Sequence, residues 1–494
     1  MGNLLYQLLG SLGGTFILYG VFTIVEVYYN EWTSPIRDLP GPKSASWIWG
    51  NFMEIRKAEH SVLQEKWVEQ YGITIKYHAP FGLSQLYTMG PKALGHILMN
   101  NEDYEKPDNL RYVLGKIGSG VLVVEGEKHK QQNPAFGAAQ IRELTEIFVA
   151  KSIQLRDAWA VETAKQGGNG KIEVLGWLNR ATLDIIGLAG FGYDFDNLGE
   201  GSKPNELNEA FSYLFRANAK FALIPFLRAM FKPLRFLPAA GDAKIRDSRI
   251  TMARIGNQLL QESKAQGLGT QQAAGKRRDL ASLLVRANMS KDVPESQRMS
   301  DEDVLEQVPT FLVAGHETTR KLREELLSLN ALPYLDAVVR ETLCVHSPAP
   351  STVRVAMRDD VLPLSKPFTD KRGKFQEGIS IRKGQTIVVP ILAMNRAKWI
   401  WGEDAAEFRL VDGIWGNMMP FLGGPRACIG YRFALVEMKA LLFTLVRSFE
   451  FELAIPAEDV AKRSRVVQRP LLKSDPEGGN QLPMLIRPVS QAWM

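Results

Sequence analysis

The alternation of apolar and polar positions describes a mainly helical protein with a minor β region. Leu4 to Val25 contains no charged residue and Glu26 is the first. Such a run is long enough for a helix to cross a bilayer, which takes about 20 residues. His60 to Tyr71 has amphipathic helical spacing, followed by strand-like runs from Ile73 to Tyr77 and from Ser84 to Thr88. Helical patterns run from Ile141 to Lys165, Val174 to Gly190 and Ser248 to Gln266, with a polar loop from Gly267 to Arg278 before helices resume at Asp279. Asn205 to Phe236 is aromatic-rich and broken by Pro225 and Pro233, and reads equally as a substrate-channel lid or as core helices. Short strands fill Glu377 to Val389. Tyr431 to Phe449 is amphipathic, with Phe433, Leu435, Met438, Leu441, Leu442 and Leu445 on its apolar side. No repeat with a period of about 20–50 residues is present.

The uncharged N-terminal run is expected to be a retained transmembrane anchor. No Lys or Arg precedes its apolar core, which argues against a cleaved signal peptide. Arg37 and Lys43 follow it and predict a cytosolic body. Pro35 and Leu39-Pro40-Gly41-Pro42 form a stiff hinge. The expected organisation is an anchor over 1–28, a hinge over 29–47 and one large domain over 48–494.

Composition narrows the function classes. The 494 residues are 45% hydrophobic and 23% charged, which is ordinary for a chain with a large core. The only cysteines are Cys344 and Cys428, so no disulfide framework exists and a reducing compartment is expected. A net charge of +6 without basic runs interleaved with aromatics excludes nucleic acid as the expected partner.

The chemistry concentrates around Phe421-Leu-Gly-Gly-Pro-Arg-Ala-Cys-Ile-Gly430. Cys428 stands just before a helix whose N-terminal N–H groups, together with Arg426, are expected to favour thiolate. Gly423, Gly424 and Gly430 leave room for something flat to approach the backbone. A thiolate presented this way suits a soft metal such as haem iron. A buried structural thiol at a loop-to-helix junction is the plainer alternative. A second motif lies in the apolar run Val308 to Thr319, where Ala314 and Gly315 are small and Glu317 and Thr318 form an acid–alcohol pair suited to moving protons. Beside that pair His316 reads as an ordinary helix residue.

Together the pattern Phe-x-x-Gly-x-Arg-x-Cys-x-Gly and Ala-Gly-His-Glu-Thr-Thr resemble the haem-binding loop and oxygen-activation helix of the cytochrome P450 family, in a fungal style. The resemblance spans nearly the whole chain. It implies the fold of that family, haem b, and Cys428 as the axial iron ligand. Phe421 would shield the sulfur, Gly424 and Gly430 shape the loop, and Arg426 and Arg354 contact haem propionates. Ala314 and Gly315 would pass over the haem, and Thr318 and Glu317 would relay protons. The implied activity is a monooxygenase that oxidises an apolar small molecule with O2, in secondary metabolism. Its electrons would come from NADPH–cytochrome P450 reductase, with cytochrome b5 as a further donor, at the endoplasmic reticulum membrane. Lys128, Lys130, Arg432 and Lys439 would make a basic docking face, although a solvated surface explains them equally well.

Four places depart from the family pattern. The arginine of Glu-x-x-Arg, counted from Glu341, is Cys344, which offers no bidentate positive partner. Glu407-Phe408-Arg409 runs straight into Leu410-Val411-Asp412, which truncates the usual arginine segment. His129-Lys-Gln-Gln-Asn133-Pro134 lacks an expected arginine, and Thr318 stands too close to Glu341 for the full central helix and its successor. These losses point to an altered coding sequence, which transcript sequencing decides. The rival readings are a haem-thiolate isomerase or dehydratase, a catalytically impaired haem- or lipid-binding protein of the same fold, and a chain that does not fold.

Overall fold

Two groups of residues pack as separate units: Met1–Glu105 with Ser351–Ala393, and Lys106–Pro350 with Met394–Met494. The structure is a computed structural model, and it describes residues 2–116, 118, 120, 122–126, 129, 138–199, 206, 209, 210, 213, 222–268, 333–370, 372–408, 418–464 and 467–489. Among these the strands are β1 Thr74–His78, β2 Ser84–Thr88, β3 Tyr104–Glu105, β4 Gly170–Glu173, β5 Thr352–Ala356, β6 Asp360–Thr369, β7 Phe375–Ile381, β8 Thr386–Val389, β9 Phe449–Leu453, β10 Val460–Ser464, β11 Gln468–Leu472 and β12 Pro483–Pro488.

The first unit is built on a five-stranded sheet in the order β1-β2-β8-β5-β3, antiparallel except for the β2–β8 pair. Ile75 on one face, and Leu86, Ile387 and Val389 on the other, are fully buried, so the sheet is covered on both sides by β-branched and leucine side chains. Asp360, which opens the β6–β7 hairpin, accepts from Tyr104 Oη at 2.7 Å and pairs with His96 Nε2 at 2.8 Å. One carboxylate thereby ties the helix Pro91–Met99, the edge strand β3 and the hairpin together.

The N-terminal run forms a helix, Gly2–Trp32, but the expected transmembrane span is not borne out. Among the described residues, no helix is long and apolar enough to cross a membrane. Gln7, Ser11, Thr15 and Thr23 interrupt the apolar character of this helix, and both threonine hydroxyls bond back to carbonyls one turn earlier. Its last turns are tied into the folded unit. Tyr28 Oη donates to Phe81 O at 3.1 Å, and Glu31 Oε2 accepts from the Ser84 amide at 2.9 Å. The membrane-anchored form of the family resemblance, the transmembrane helix in the fold class, and the single-pass endoplasmic reticulum membrane localisation with a cytosolic body all rested on that span and fall with it. The mainly α, minor β architecture stands.

The second unit packs the helices Ala138–Lys165, Val174–Phe191 and Tyr431–Ser448 around one apolar core. Phe148 meets Phe433 edge-on at 4.7 Å between ring centroids, and fully buried Trp159 lies 6.1 Å from Phe449. Such aromatic pairs add to the burial energy of their area. Val174–Phe191 begins where Glu173 accepts from the amides of Leu175 at 3.2 Å and Gly176 at 2.5 Å, an acidic cap at the positive end of the helix. It stops at Gly192, whose φ of 62° is left-handed and suits glycine. Strand β12 lies between β4 and β9 in a small sheet, and β10–β11 form a separate hairpin. Helices expected over 60–71, 141–165, 174–190, 248–266 and 431–449 are found as Val62–Tyr71, Ala138–Lys165, Val174–Phe191, Asp242–Leu268 and Tyr431–Ser448. From the aromatic stretch Asn205 to Phe236, the helix Leu223–Met230 and the 3-10 turn Lys232–Phe236 are described. The expected helix over 308–319 lies outside the described residues.

Candidate functional site

The loop before the Tyr431–Ser448 helix is closed by its own backbone. The Cys428 amide donates to Phe421 O at 2.8 Å, and the Leu422 amide to Met419 O at 2.9 Å. Between them Leu422 and Gly424 take left-handed φ values of 57° and 71°, and Gly424–Arg426 makes one 3-10 turn. The Tyr431 amide reaches Cys428 O at 3.4 Å as the helix begins. Cys428 thus sits at the helix N-terminus, as its sequence position implied. The Phe421 ring lies 6.1 Å from that of Tyr431.

Cys428 keeps solvent-exposed surface, yet the surrounding protein desolvates its sulfur and raises the thiol pKa, against the Gly430 N–H that lowers it. Arg426 is not among the groups that shift it, and its guanidinium is engaged by other partners. Its Nη2 forms an ion pair with Glu125, and Nη1 donates to Val124 O at 3.3 Å. Lys106 Nζ also faces Glu125 at 3.5 Å. Buried His129 beside this cluster has its pKa lowered to about 4, first by desolvation and then by Arg426 and Lys106, with Glu125 opposing.

These residues fit the haem that the motif implies. A Cβ added at Gly423 would meet no atom of the described residues within 4 Å beyond its chain neighbours, so these residues leave open space beside its backbone. One accessible sulfur and one buried guanidinium offer a soft axial donor and a cationic partner for a carboxylate. Among the described residues no group of three or more His, Cys, Asp or Glu could hold a metal ion, and a haem requires only the one sulfur from this loop.

Of the other predicted site residues, Ala314, Gly315, Glu317 and Thr318 lie outside the described residues, as do Lys128 and Lys130 of the basic face. Arg354 belongs to β5 of the first unit, where it is buried and its Nη1 donates to Thr352 Oγ1 and Val353 O, both at 2.9 Å. Lys439 does not belong to a docking face: it is buried, and its Nζ meets Asp336 at 2.5 Å. Arg432 is exposed, with its guanidinium 4.7 Å from the centre of the Tyr431 ring.

Cys344, on the helix Pro333–Val345, donates its S–H to Asn395 O at 3.1 Å, and desolvation, reinforced by Glu341 and opposed by Arg396, pushes its thiol up to about 11. Sequence reasoning missed Asn395, Arg396 and Glu125. Asn395-Arg396 was legible only as a polar pair directly after the apolar run Ile387 to Met394, and Glu125 as a single acid after the apolar Val121 to Val124.

Comparison with known proteins accords with this geometry. The Cytochrome P450 family profile matches residues 40–321 and 323–472. The chain is 49% identical to Cytochrome P450 monooxygenase 205 of Postia placenta and 44% identical to Cytochrome P450 monooxygenase 128 of the same organism, covering 97% of each chain in both cases. Cytochrome P450 monooxygenase claW of Ampulloclitocybe clavipes is 32% identical over 96% of each. The first alignment spans 531 positions against the 494 residues here, so that relative carries positions with no counterpart in this chain. A solved cytochrome P450 (CYP102L1) superposes with a TM-score of 0.69 at 20% identity, covering 91% of this chain and 99% of its own, a likeness of fold alone.

Proposed function

The chain belongs to the cytochrome P450 family, and from that premise we propose that Cys428 is the axial ligand of its haem iron. Membership carries the reaction class: a haem-thiolate monooxygenase that oxidises an organic substrate with O2 and electrons from a redox partner. Haem b, when bound, supplies the oxygen activation. The observation that supports Cys428 is its position at a helix N-terminus, with exposed surface inside a desolvating loop and a buried arginine two residues away.

Each neighbouring residue has a role in this reading. Phe421 would cover the sulfur, Gly424 lets the loop turn through its left-handed φ, Gly430 stands at the N-cap of the following helix, and Arg426, paired with Glu125, would hold a carboxylate of the haem. By the family resemblance alone, Arg354 would be a second carboxylate contact. From the sequence alone, the small residues Ala314 and Gly315 would leave room beside a bound haem, and Glu317 and Thr318 would be the pair that moves protons. The catalytic domain occupies 48–494 after the hinge over 29–47. The electron donor is NADPH–cytochrome P450 reductase, with cytochrome b5 as a second donor, and exposed Arg432 is the described cation suited to docking. The substrate is an apolar small molecule of fungal secondary metabolism.

The reduced carbon-monoxide difference spectrum tests the ligand. The parent chain should give the strongly red-shifted Soret band of thiolate-ligated haem, and Cys428→Ser should lose it. A Cys428→Ser variant that keeps the red-shifted band would sink the assignment. With reductase and NADPH, a parent that shows the band but consumes no NADPH would be a haem-binding protein without turnover.

A further inference from the structure

The helix Pro333–Val345 carries Cys344 where the family resemblance expects an arginine, and its connections show what stands in place of that arginine. The Cys344 S–H donates to Asn395 O at 3.1 Å, with both residues buried. The Asn395 side chain in turn accepts the Met419 amide at 2.9 Å. Met419 O holds the Leu422 amide, and Phe421 O holds the amide of Cys428 itself. Hydrogen bonds and one short stretch of backbone therefore join the helix to the cysteine loop.

Arg396 closes the other side of this junction. Its Nε donates to Val345 O at 3.0 Å, and its Nη2 reaches the same oxygen. Val345 ends the helix, where carbonyls lack partners within the helix and the negative end of the dipole favours a cation. We infer that Cys344, Asn395 and Arg396 are positioning residues that set the Met419–Cys428 loop, with Arg396 supplying from outside the helix the positive charge that position 344 lacks. The contact with Val345 O places the Arg396 guanidinium at the residue that follows Cys344. Asn395 is the hub, since its backbone serves the helix and its side chain serves the loop.

The network concerns this chain's own loop, and only the spectroscopic readout below rests on Cys428 being the haem ligand. Amide hydrogen exchange on the full-length chain is the direct test. Arg396→Gln and Cys344→Ala should each speed exchange over 418–430 by about tenfold while the amides of 138–165 keep their rates. Cys344→Ser retains a donor and Arg396→Lys retains the charge, so both should stay within about threefold of the parent. With haem loaded to equal content, the first pair should lose part of the red-shifted carbon-monoxide band. Unchanged exchange over 418–430 would overturn the inference. So would a rise shared by every amide together with a lower Tm, since that marks general destabilisation. If the parent lacks the red-shifted band but the exchange pattern holds, the ligand assignment fails and the network stands.

Discussion

Arg426 and Glu125 form an ion pair in which the two side chains keep only 6% and 9% of their surface exposed. Glu125 also faces Lys106 at 3.5 Å, so one acid serves two cations beside the cysteine loop. Removing the acid strands a buried guanidinium, whereas removing Arg426 leaves Glu125 with Lys106. Glu125→Ala should therefore destabilise by about 3–5 kcal/mol, the cost of leaving a buried charge uncompensated. Arg426→Ala should cost less. Urea unfolding of the two variants gives the order, and a larger loss for Arg426→Ala would contradict it.

Acid stability follows from two desolvated histidines, one of them beside this cluster. His129 and His60 both have pKa values lowered from 6.5 to about 4, chiefly by burial. The unfolded chain binds these protons first, so stability is highest above pH 6.5 and falls as pH drops from about 6.5 to about 4. For His129, almost fully buried, the loss approaches about 3 kcal/mol across that window. His129→Gln should flatten the pH dependence of the unfolding free energy between pH 4 and 6.5 by that share and leave the contribution of His60. An unchanged slope would show that His129 is protonated in the folded protein at those pH values.

Lys439 and Arg432, both assigned to a docking face by sequence, separate in structure. Lys439 Nζ meets Asp336 at 2.5 Å with 7% of its side chain exposed, and Arg340 shares that acid. Arg432 is exposed. Lys439→Met should lower Tm without changing the salt dependence of reduction by the reductase. Arg432→Glu should slow reduction severalfold at low salt, an effect that fades as salt screens it. Stopped-flow reduction at two ionic strengths distinguishes them, and equal salt dependence in both variants would remove Arg432 from the docking surface.

Local signals in the sequence carried far. The period of apolar residues foretold the Tyr431–Ser448 helix to within a residue, and the glycine-rich run before it foretold a loop presenting Cys428. Strand β6 escaped because Pro363 and Pro367 break the usual strand signature, and the helix Pro91–Met99 because it is short. Relationships through space were the larger loss. Cys344 seemed to leave Glu341 without its cation, but Arg396, distant in sequence, brings a guanidinium to the end of the same helix. Arg426 was expected to acidify Cys428, and only the fold reveals that Glu125 engages it. Charge partners across many residues leave no periodic trace, so patterning has nothing to detect. The N-terminal run shows the converse: lack of charge alone predicts a bilayer span, yet among the described residues no helix is long and apolar enough to cross a membrane.

Two adjacent glycines separate the demands of the fold from those of the cofactor. Gly424 has a φ of 71°, where an L side chain is strained, so Gly424→Ala should cost about 1–2 kcal/mol of stability. Gly423 has φ −138° and ψ 174°, extended backbone open to any residue, and a Cβ there would touch nothing among the described residues within 4 Å beyond its chain neighbours. Its lack of a side chain is therefore not required by the polypeptide. If that space receives the haem, Gly423→Val should unfold at the parent's urea midpoint, within about 0.5 kcal/mol, while haem per protein falls by about tenfold. Gly424→Ala should reverse the balance, losing stability while the surviving folded protein still takes up haem. Soret absorbance relative to protein, measured beside the unfolding curves, reads both quantities on the same samples. A Gly423→Val variant that loads haem like the parent would mean that the open space beside this backbone is not where the haem lies.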